Sequence, residues 1–160
     1  MTRAGTSVLF VCLGNICRSP LAEGVMRHLV RARGIEARYR IDSAGTGAWH
    51  VGEPPDGRSV DVASRNGIQL EGHSRQVESS DLHDFDWVVA MDRSNLERLE
   101  EMKDWGGGDA RLTLLREFDP DPGDREVPDP YYGGPGGFDH VYRLVHRSLE
   151  AFLDHLEDGR

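Results

Sequence analysis

The sequence predicts a three-layer α/β fold in which helices cover both faces of a four-stranded parallel sheet. Short apolar runs alternate along the chain with segments of helical apolar spacing, the order expected for crossovers between parallel strands. The first run, residues 8–11, lacks polar alternation, as a strand buried on both faces should. The chain has 160 residues, a single-domain length, so we assign residues 1–160 to one domain.

In the N-terminal half, the strand at residues 8–11 is followed by a helix. Ser19 is the expected N-cap and Pro20 the first helical residue, and an apolar stripe continues the helix until Gly34. The other elements expected in this half are a strand at residues 38–44 and a helix that Pro54 and Pro55 introduce and Gly67 ends.

The C-terminal half predicts two further strands, at residues 86–90 and 110–115. Between them, a capping-box pattern beginning at Ser94 opens a helix, which the glycine run 106–108 ends. Apolar residues at helical spacing over residues 138–156 predict a long amphipathic helix that docks on the sheet.

Composition and charge exclude several classes of function. The formal net charge is −9, with 28 acidic against 19 basic residues, so a nucleic-acid partner is not expected. No apolar run approaches the roughly 20 residues that cross a bilayer, and the N-terminus has no secretory pattern, so we expect a cytoplasmic protein without a membrane partner. Cys12 and Cys17 are too few for a zinc quartet, so no metal or cofactor is expected. We also expect a monomer.

The candidate site lies at one edge of the predicted sheet. Ligands of parallel α/β folds bind beyond the carboxyl ends of the strands. The segments that follow strands here are residues 12–19, 45–52, 91–95 and 116–137. The last segment is rich in Pro, Gly and Asp and long for a simple connection, which favours a functional loop.

The segment after the first strand has the residues of a nucleophilic anion site. A tight loop before a helix start turns amide N–H groups inward and can hold a tetrahedral dianion, and the same groups favour the thiolate of Cys12. Arg18 supplies a planar fork for two oxygens of the anion. Gly14 and Asn15 suit unusual backbone conformations, and the Ser19 hydroxyl can donate to the sulfur.

A general acid is expected on the long loop. Attack by Cys12 on an aryl phosphate expels a phenolate, which leaves more easily when a carboxylic acid protonates it. Asp129 lies between two stiffening prolines and opens onto the same sheet edge. Asp119, Asp121 and Asp124 are competitors on this loop, although ordinary turn chemistry also accounts for them.

The string from Val11 to Pro20, VCLGNICRSP, resembles the signature of low-molecular-weight protein tyrosine phosphatases of the bacterial type. The resemblance continues in the family's order through Asp42-Ser43-Ala44-Gly45-Thr46, Trp49-His50-Val51-Gly52, Met91-Asp92, Ser94-Asn95 and Asp129-Pro130-Tyr131-Tyr132.

This resemblance implies a flavodoxin-like fold and hydrolysis of phosphotyrosine in proteins through a cysteinyl-phosphate intermediate. It assigns Cys12 as the nucleophile, Arg18 as the phosphate clamp and Asp129 as the general acid and base. The remaining phosphate-binding and loop-supporting positions that it implies are Leu13, Gly14, Asn15, Ile16, Cys17, Ser19 and Ser43. The implied ligands are tyrosine-phosphorylated proteins, with phosphate and other oxyanions as product-like inhibitors.

Large side chains on the same loops suggest a slot for a flat substrate. Trp49, Tyr131 and Tyr132 would form ring walls that admit a long phosphotyrosine, with Leu13 and Ile16 completing an apolar rim. The alternative is that these rings only pack the loops.

Cys17 is expected to face the same pocket as Cys12. In relatives such a pair can close as a disulfide when peroxide oxidises the nucleophile, which makes a protective switch a hypothesis here. The alternative is that Cys17 is only a small apolar filler.

Three other activities remain to be weighed. A protein arginine phosphatase shares the loop but has threonine where this chain has Ile16. A thioredoxin-coupled arsenate reductase needs further cysteines after Cys17, and the sequence contains none. A non-catalytic phosphate-binding module would not need Cys12, Arg18 and Asp129 together.

Overall fold

Four parallel strands form the sheet that positions the site. In the computed structural model, which describes residues 5–131 and 136–159, the strands lie in the order β2-β1-β3-β4. Their bounds are β1 (Thr6–Cys12), β2 (Tyr39–Gly45), β3 (Trp87–Ala90) and β4 (Arg111–Leu114). All three pairings are parallel. The predicted four-stranded parallel sheet is therefore confirmed.

Helices cover both faces of this sheet, as predicted. The helices are α1 (Arg18–Ala32), α2 (Gly57–Arg65), α3 (Asp81–Asp84), α4 (Arg93–Gly106) and α5 (Gly137–Asp158). Val8 and Phe10 of β1 face the core beneath α1, α2 and α5, whereas Leu9 and Val11 face the core beneath α4. Because both faces of β1 are buried, its sequence has no polar alternation. Within the described ranges, no helix is long and apolar enough to cross a membrane.

The predicted strand bounds are off by one or two residues. The second strand begins at Tyr39 because residues 36–38 form a 3₁₀ turn, and the third begins at Trp87. The fourth covers only Arg111–Leu114, because Leu115 already starts another 3₁₀ turn. The short α3 has too few residues to give a periodic signal, and the sequence did not indicate it.

Two predicted helix starts are wrong. α1 begins at Arg18 with Cys17 as its N-cap, so Ser19 does not cap it; the Ser19 hydroxyl instead contacts Cys12. α4 begins at Arg93, and Asp92 rather than Ser94 caps it through a capping box with Asn95. In both cases a hydroxyl residue lies near the true start, but the residue two positions earlier occupies the cap position, and only Asp92 caps with its side chain.

Candidate active site

Hydrogen-bond donors surround the sulfur of Cys12. This residue ends the central strand β1, and the loop of residues 12–18, called the anion loop below, connects it to α1. The backbone N–H groups of Asn15 and Ser19 donate to Cys12 Sγ over 3.3 and 3.4 Å, and Ser19 Oγ lies 3.0 Å from it. A negative charge on this buried sulfur would meet donors on several sides.

The carbonyl groups of the anion loop point away from its centre. Five of them are paired outside the loop: Cys12 O with Thr46 N (2.9 Å), Leu13 O with Gly47 N (2.9 Å), Gly14 O with Ser74 Oγ (2.9 Å), Ile16 O with Asp56 N (2.8 Å) and Cys17 O with Ser59 Oγ (3.2 Å). In a trans peptide the N–H points opposite to the C=O. The N–H groups of these peptide units therefore face the concave side, which is the geometry of an anion nest.

Asn15 locks the shape of this loop. Its φ of +56° lies in the left-handed region, which Asn tolerates better than most residues. Its Nδ2 donates to Ser19 Oγ (2.8 Å) and Ser43 Oγ (3.0 Å), and its Oδ1 accepts from Arg75 N (3.0 Å). Ser43 in turn donates to Glu23 over 2.6 Å. Because every polar atom of the amide has a partner, the turn has one preferred arrangement.

Arg18 extends from the first turn of α1 across the anion loop. Its Nη1 donates to Asp92 Oδ2 (2.7 Å) and Val127 O (2.9 Å), and its Nη2 lies 3.7 Å from Asp129 Oδ2. Burial opposes its charge, but the Cys12 sulfur and the carboxylates of Asp92 and Asp129 together raise the pKa of Arg18 above its ordinary value. A fixed cation therefore lies beside the sulfur.

One cavity of about 320 Å³ contains Cys12, Arg18 and Asp129. This volume is at the lower end of small-molecule pockets. Trp49 is 74% exposed and lines the mouth, although such an apolar ring usually packs against protein. The other lining residues are Leu13, Gly14, Ile16, Cys17, His50 and Tyr131. Tyr132, the third predicted ring wall, lies outside the described residues.

The structure separates Asp129 from its competitors. The Asp129 side chain is 43% exposed at the pocket, where Oδ1 accepts from Tyr131 N over 3.0 Å. Asp119 is fully buried against Arg116 and Arg147. Burial raises the pKa of Asp119, but hydrogen bonds from Arg147, the Asp121 amide and Arg116 outweigh it and hold the pKa below its ordinary value.

The remaining two competitors also serve the loop itself. Asp124 accepts from the Glu126 amide and from Arg116, and the Asp121 carbonyl accepts from Arg116 and Arg147. Neither Asp121 nor Asp124 lines the cavity. Turn and loop chemistry, which the sequence left as an alternative, accounts for both.

Cys17 is a buried free thiol that lines the same cavity as Cys12. Burial, followed by the negative charges of Asp56, Cys12 and Asp129, raises the pKa of Cys17 to about 12. At neutral pH it is therefore an uncharged thiol in the reduced protein.

Several residues that shape the site were not apparent from the sequence. Asp92 orients Arg18, and Arg75 holds the Asn15 carbonyl oxygen. Arg58 donates to Tyr131 O over 3.0 Å, and its guanidinium lies 5.3 Å from the Tyr131 ring centre. Each acts across 60 residues or more of sequence, so no local pattern marks it. Across residues 5–131 and 136–159, no group of three or more His, Cys, Asp or Glu side chains could hold a metal ion.

Comparisons with known proteins identify one family over most of the chain. The model of a family described as low molecular weight phosphotyrosine protein phosphatase matches residues 7–160. A relative of that name from Schizosaccharomyces pombe is 48% identical over 147 residues, which cover 91% of this chain and 94% of the relative. The solved structure of YfkJ from Bacillus subtilis has a TM-score of 0.92 at 38% identity and covers 100% of this chain and 99% of its own. That of the drosophila arginine phosphatase DARP has a TM-score of 0.89 at 37% identity, with 93% and 96% covered.

Proposed function

Because the chain belongs to the low molecular weight phosphotyrosine protein phosphatase family, we propose that it hydrolyses phosphotyrosine in tyrosine-phosphorylated proteins. In this proposal Cys12 is the nucleophile, Arg18 is the phosphate clamp, and Asp129 is the general acid and base. The observation that carries these roles is the convergence of the three side chains on one cavity at the carboxyl edge of the sheet. We further propose that residues 1–160 form one phosphatase domain, since the family model matches residues 7–160.

In the first step, the Cys12 sulfur attacks phosphorus and the bond from phosphorus to the tyrosine oxygen breaks. The inward N–H groups of the anion loop and the Arg18 fork bind the oxygens of the transferred group and stabilise their charge. Asp129 gives its proton to the departing phenolate. The products of this step are the free tyrosine side chain and a cysteinyl phosphate.

In the second step, water attacks the cysteinyl phosphate. Asp129, now ionised, takes a proton from that water, and the bond from sulfur to phosphorus breaks. The Ser19 hydroxyl, 3.0 Å from the sulfur, donates to Cys12 as its negative charge returns. Inorganic phosphate leaves and, like other oxyanions, competes with substrate for the same nest.

The cavity walls favour an aryl phosphate ester. Trp49 and Tyr131 offer ring surfaces beside the mouth, and Leu13 and Ile16 of the anion loop add apolar lining. A phosphotyrosine side chain spans such walls, whereas the shorter phosphoserine leaves phosphorus far from Cys12. We therefore expect phosphotyrosine peptides to be preferred over phosphoserine peptides.

The decisive experiment compares the turnover rates of the phosphotyrosine and phosphoarginine forms of one peptide. In a parallel measurement the reaction is quenched during turnover, and mass spectrometry locates phosphate on the protein. Phosphotyrosine should turn over faster, and phosphate should be found on the peptide that carries Cys12. Cys12→Ser should abolish turnover while retaining phosphate binding, and Asp129→Ala should slow aryl phosphates by about 10²–10⁴-fold.

Faster turnover of phosphoarginine would reassign the chain to the activity named for DARP, at 37% identity. Ile16 argues against that result, because arginine phosphatases share the anion loop but have threonine where this chain has Ile16. Full activity of Cys12→Ser would overturn the mechanism.

A further inference from the structure

Arg116 is the centre of a buried polar cluster beneath the loop that carries Asp129. It lies in the 3₁₀ turn after β4, and its side chain is only 8% exposed. It donates to Asp119 Oδ2 (3.0 Å), Asp121 O (2.9 Å), Asp124 Oδ1 (3.4 Å) and Glu126 O (2.7 Å). One guanidinium therefore donates hydrogen bonds to four residues within 119–126, a segment with no helix or strand of its own.

The charge of this cluster is balanced without help from the active site. The Asp119 side chain is fully buried and accepts from both Arg116 and Arg147, the latter through two bonds of 2.7 and 2.9 Å. Arg147 comes from α5 and, within residues 119–126, donates hydrogen bonds to Asp119 and to the Asp121 carbonyl but not to Glu126. Arg147 thus anchors the beginning of the loop, and Arg116 alone of the two reaches Glu126.

Glu126 is where the loop meets the catalytic machinery. The next residue, Val127, donates its N–H to Met91 O (2.8 Å) and accepts from Arg18 at its carbonyl (2.9 Å). Pro128 and Pro130 then flank Asp129 and restrict the backbone on both sides of it. Because this backbone is restricted, the position of the Asp129 carboxyl depends on where the segment from Glu126 onward is held.

We infer that Arg116 is a positioning residue for the general acid: by fastening the Glu126 carbonyl, it holds the Asp129 carboxyl at the leaving-group side of the cavity. The inference rests on the proposed role of Asp129 in proton donation. It gives the acidic residues of this loop a shared purpose, since Asp119 and Asp124 hold the Arg116 fork in the orientation that reaches Glu126.

Arg116→Met tests this inference, because methionine keeps much of the apolar bulk and removes the fork. The matched control is Arg147→Met, which also strips a donor from Asp119 but leaves the bond to Glu126 intact. For each variant, kcat/KM is measured with phenyl phosphate and with para-nitrophenyl phosphate, well below the unfolding temperature. Phenolate is the poorer leaving group, so phenyl phosphate depends more on proton donation.

Arg116→Met should lose at least about 5-fold more kcat/KM on phenyl phosphate than on para-nitrophenyl phosphate, since small misplacements of a catalytic group are costly. Arg147→Met should keep the wild-type ratio between the two substrates. In an Asp129→Ala background, adding Arg116→Met should leave the ratio unchanged, because the group it positions is gone.

An equal loss on both substrates, or the same change of ratio in Arg147→Met, would mean that Arg116 only stabilises the fold. If Asp129→Ala itself left the ratio unchanged, the proposed general acid would be wrong, and the inference with it. If Arg116→Met does not fold, Arg116→Lys decides: a smaller shift of the ratio in the same direction supports the inference, and a wild-type ratio overturns it.

Discussion

The carboxylate of Asp92 joins two parts of the molecule. Its Oδ2 accepts a 2.7 Å hydrogen bond from Arg18 Nη1. Its Oδ1 accepts a 2.8 Å hydrogen bond from the backbone N–H of Asn95 and caps α4. The capping bond fixes the carboxylate, and the carboxylate then fixes one edge of the guanidinium. The rest of the Arg18 fork is left to face the cavity that it lines.

Asp92→Asn should separate these two tasks. Asparagine also caps helices well, so the cap of α4 should persist, but it lacks the charge that orients the buried Arg18. We expect kcat/KM for para-nitrophenyl phosphate to fall about 10-fold, as expected from the loss of a charge-assisted hydrogen bond.

Asp92→Ala is the control, because it should lose both activity and about 1 kcal/mol of stability with the cap. Urea unfolding and steady-state kinetics measure the two quantities. Full activity in Asp92→Asn would show that Arg18 needs no carboxylate to orient it.

Much of the fold was predictable because the parallel strands carry a strong signal. Residues 8–11 are buried on both faces and therefore appear as an uninterrupted apolar run, and the stripe of the last helix spans many turns. The anion loop was also recognisable, because Cys12, Arg18 and the helix start occur within seven residues of sequence.

Other features could not be found because their partners are distant in sequence. The helix start predicted at Ser94 was wrong, although Asp92 caps α4 through a local contact with Asn95; what the sequence could not show is that the same carboxylate orients Arg18, 74 residues away. Asp119 was interpreted only as a turn residue or a rival acid, since its partner Arg147 lies 28 residues further on. Ser19 was given two local uses: the N-cap was wrong, whereas the predicted contact between its hydroxyl and the Cys12 sulfur is present.

Ser19→Ala should slow both chemical steps. The hydroxyl is the one side-chain group of the described residues within hydrogen-bond distance of Cys12 Sγ, where it can donate to the thiolate, and hydrogen bonds to charged groups contribute about 1.5–3 kcal/mol. We expect kcat to fall about 10-fold or more. The release of para-nitrophenol, followed during and after the first turnover, measures the two steps. Breakdown of the cysteinyl phosphate should slow because the departing thiolate loses its donor.

Ser148→Ala is a matched control for this variant. Ser148 is equally buried, but its hydroxyl donates to Leu144 O within α5. Its removal should leave the kinetics unchanged. Equal effects of the two substitutions would mean that loss of a buried hydroxyl, and not the contact with sulfur, slows Ser19→Ala.

Gly45→Ala should distort the anion loop. A Cβ on Gly45 would lie 2.8 Å from Leu13 O and 3.1 Å from the carbonyl carbon of Gly14, and both of these are backbone atoms that cannot rotate away. Relieving the contact must push the loop from the end of β2. We expect a stability loss of about 1–3 kcal/mol, typical of overpacking, together with weaker phosphate binding.

Gly57→Ala is the corresponding control, because nothing lies within 4 Å of a Cβ at this first residue of α2. It should retain phosphate affinity and be neutral or slightly stabilising. Isothermal titration with phosphate and urea unfolding distinguish the two variants. Unchanged phosphate affinity in Gly45→Ala would show that the loop tolerates displacement at this contact.

The raised pKa of Cys17 predicts a stability that declines at alkaline pH. The unfolded thiol ionises near pH 9.0, whereas burial and then the Asp56 carboxylate raise the pKa of the folded thiol to about 12. Below pH 9.0 the thiol is neutral in both states, so the favourable burial is fully present. As the pH rises from there toward about 12, only the unfolded state loses its proton, and stability is lost.

Cys17→Ala removes this titration, so the stability of wild type relative to the variant should fall by about 1–2 kcal/mol between pH 8 and 10.5. Urea unfolding at a series of pH values measures the difference in free energy of unfolding between the two proteins. The contributions of their tyrosines and lysines cancel in this difference, because both proteins contain them. A difference that stays constant over this pH range would mean that the folded thiol ionises as readily as the unfolded one.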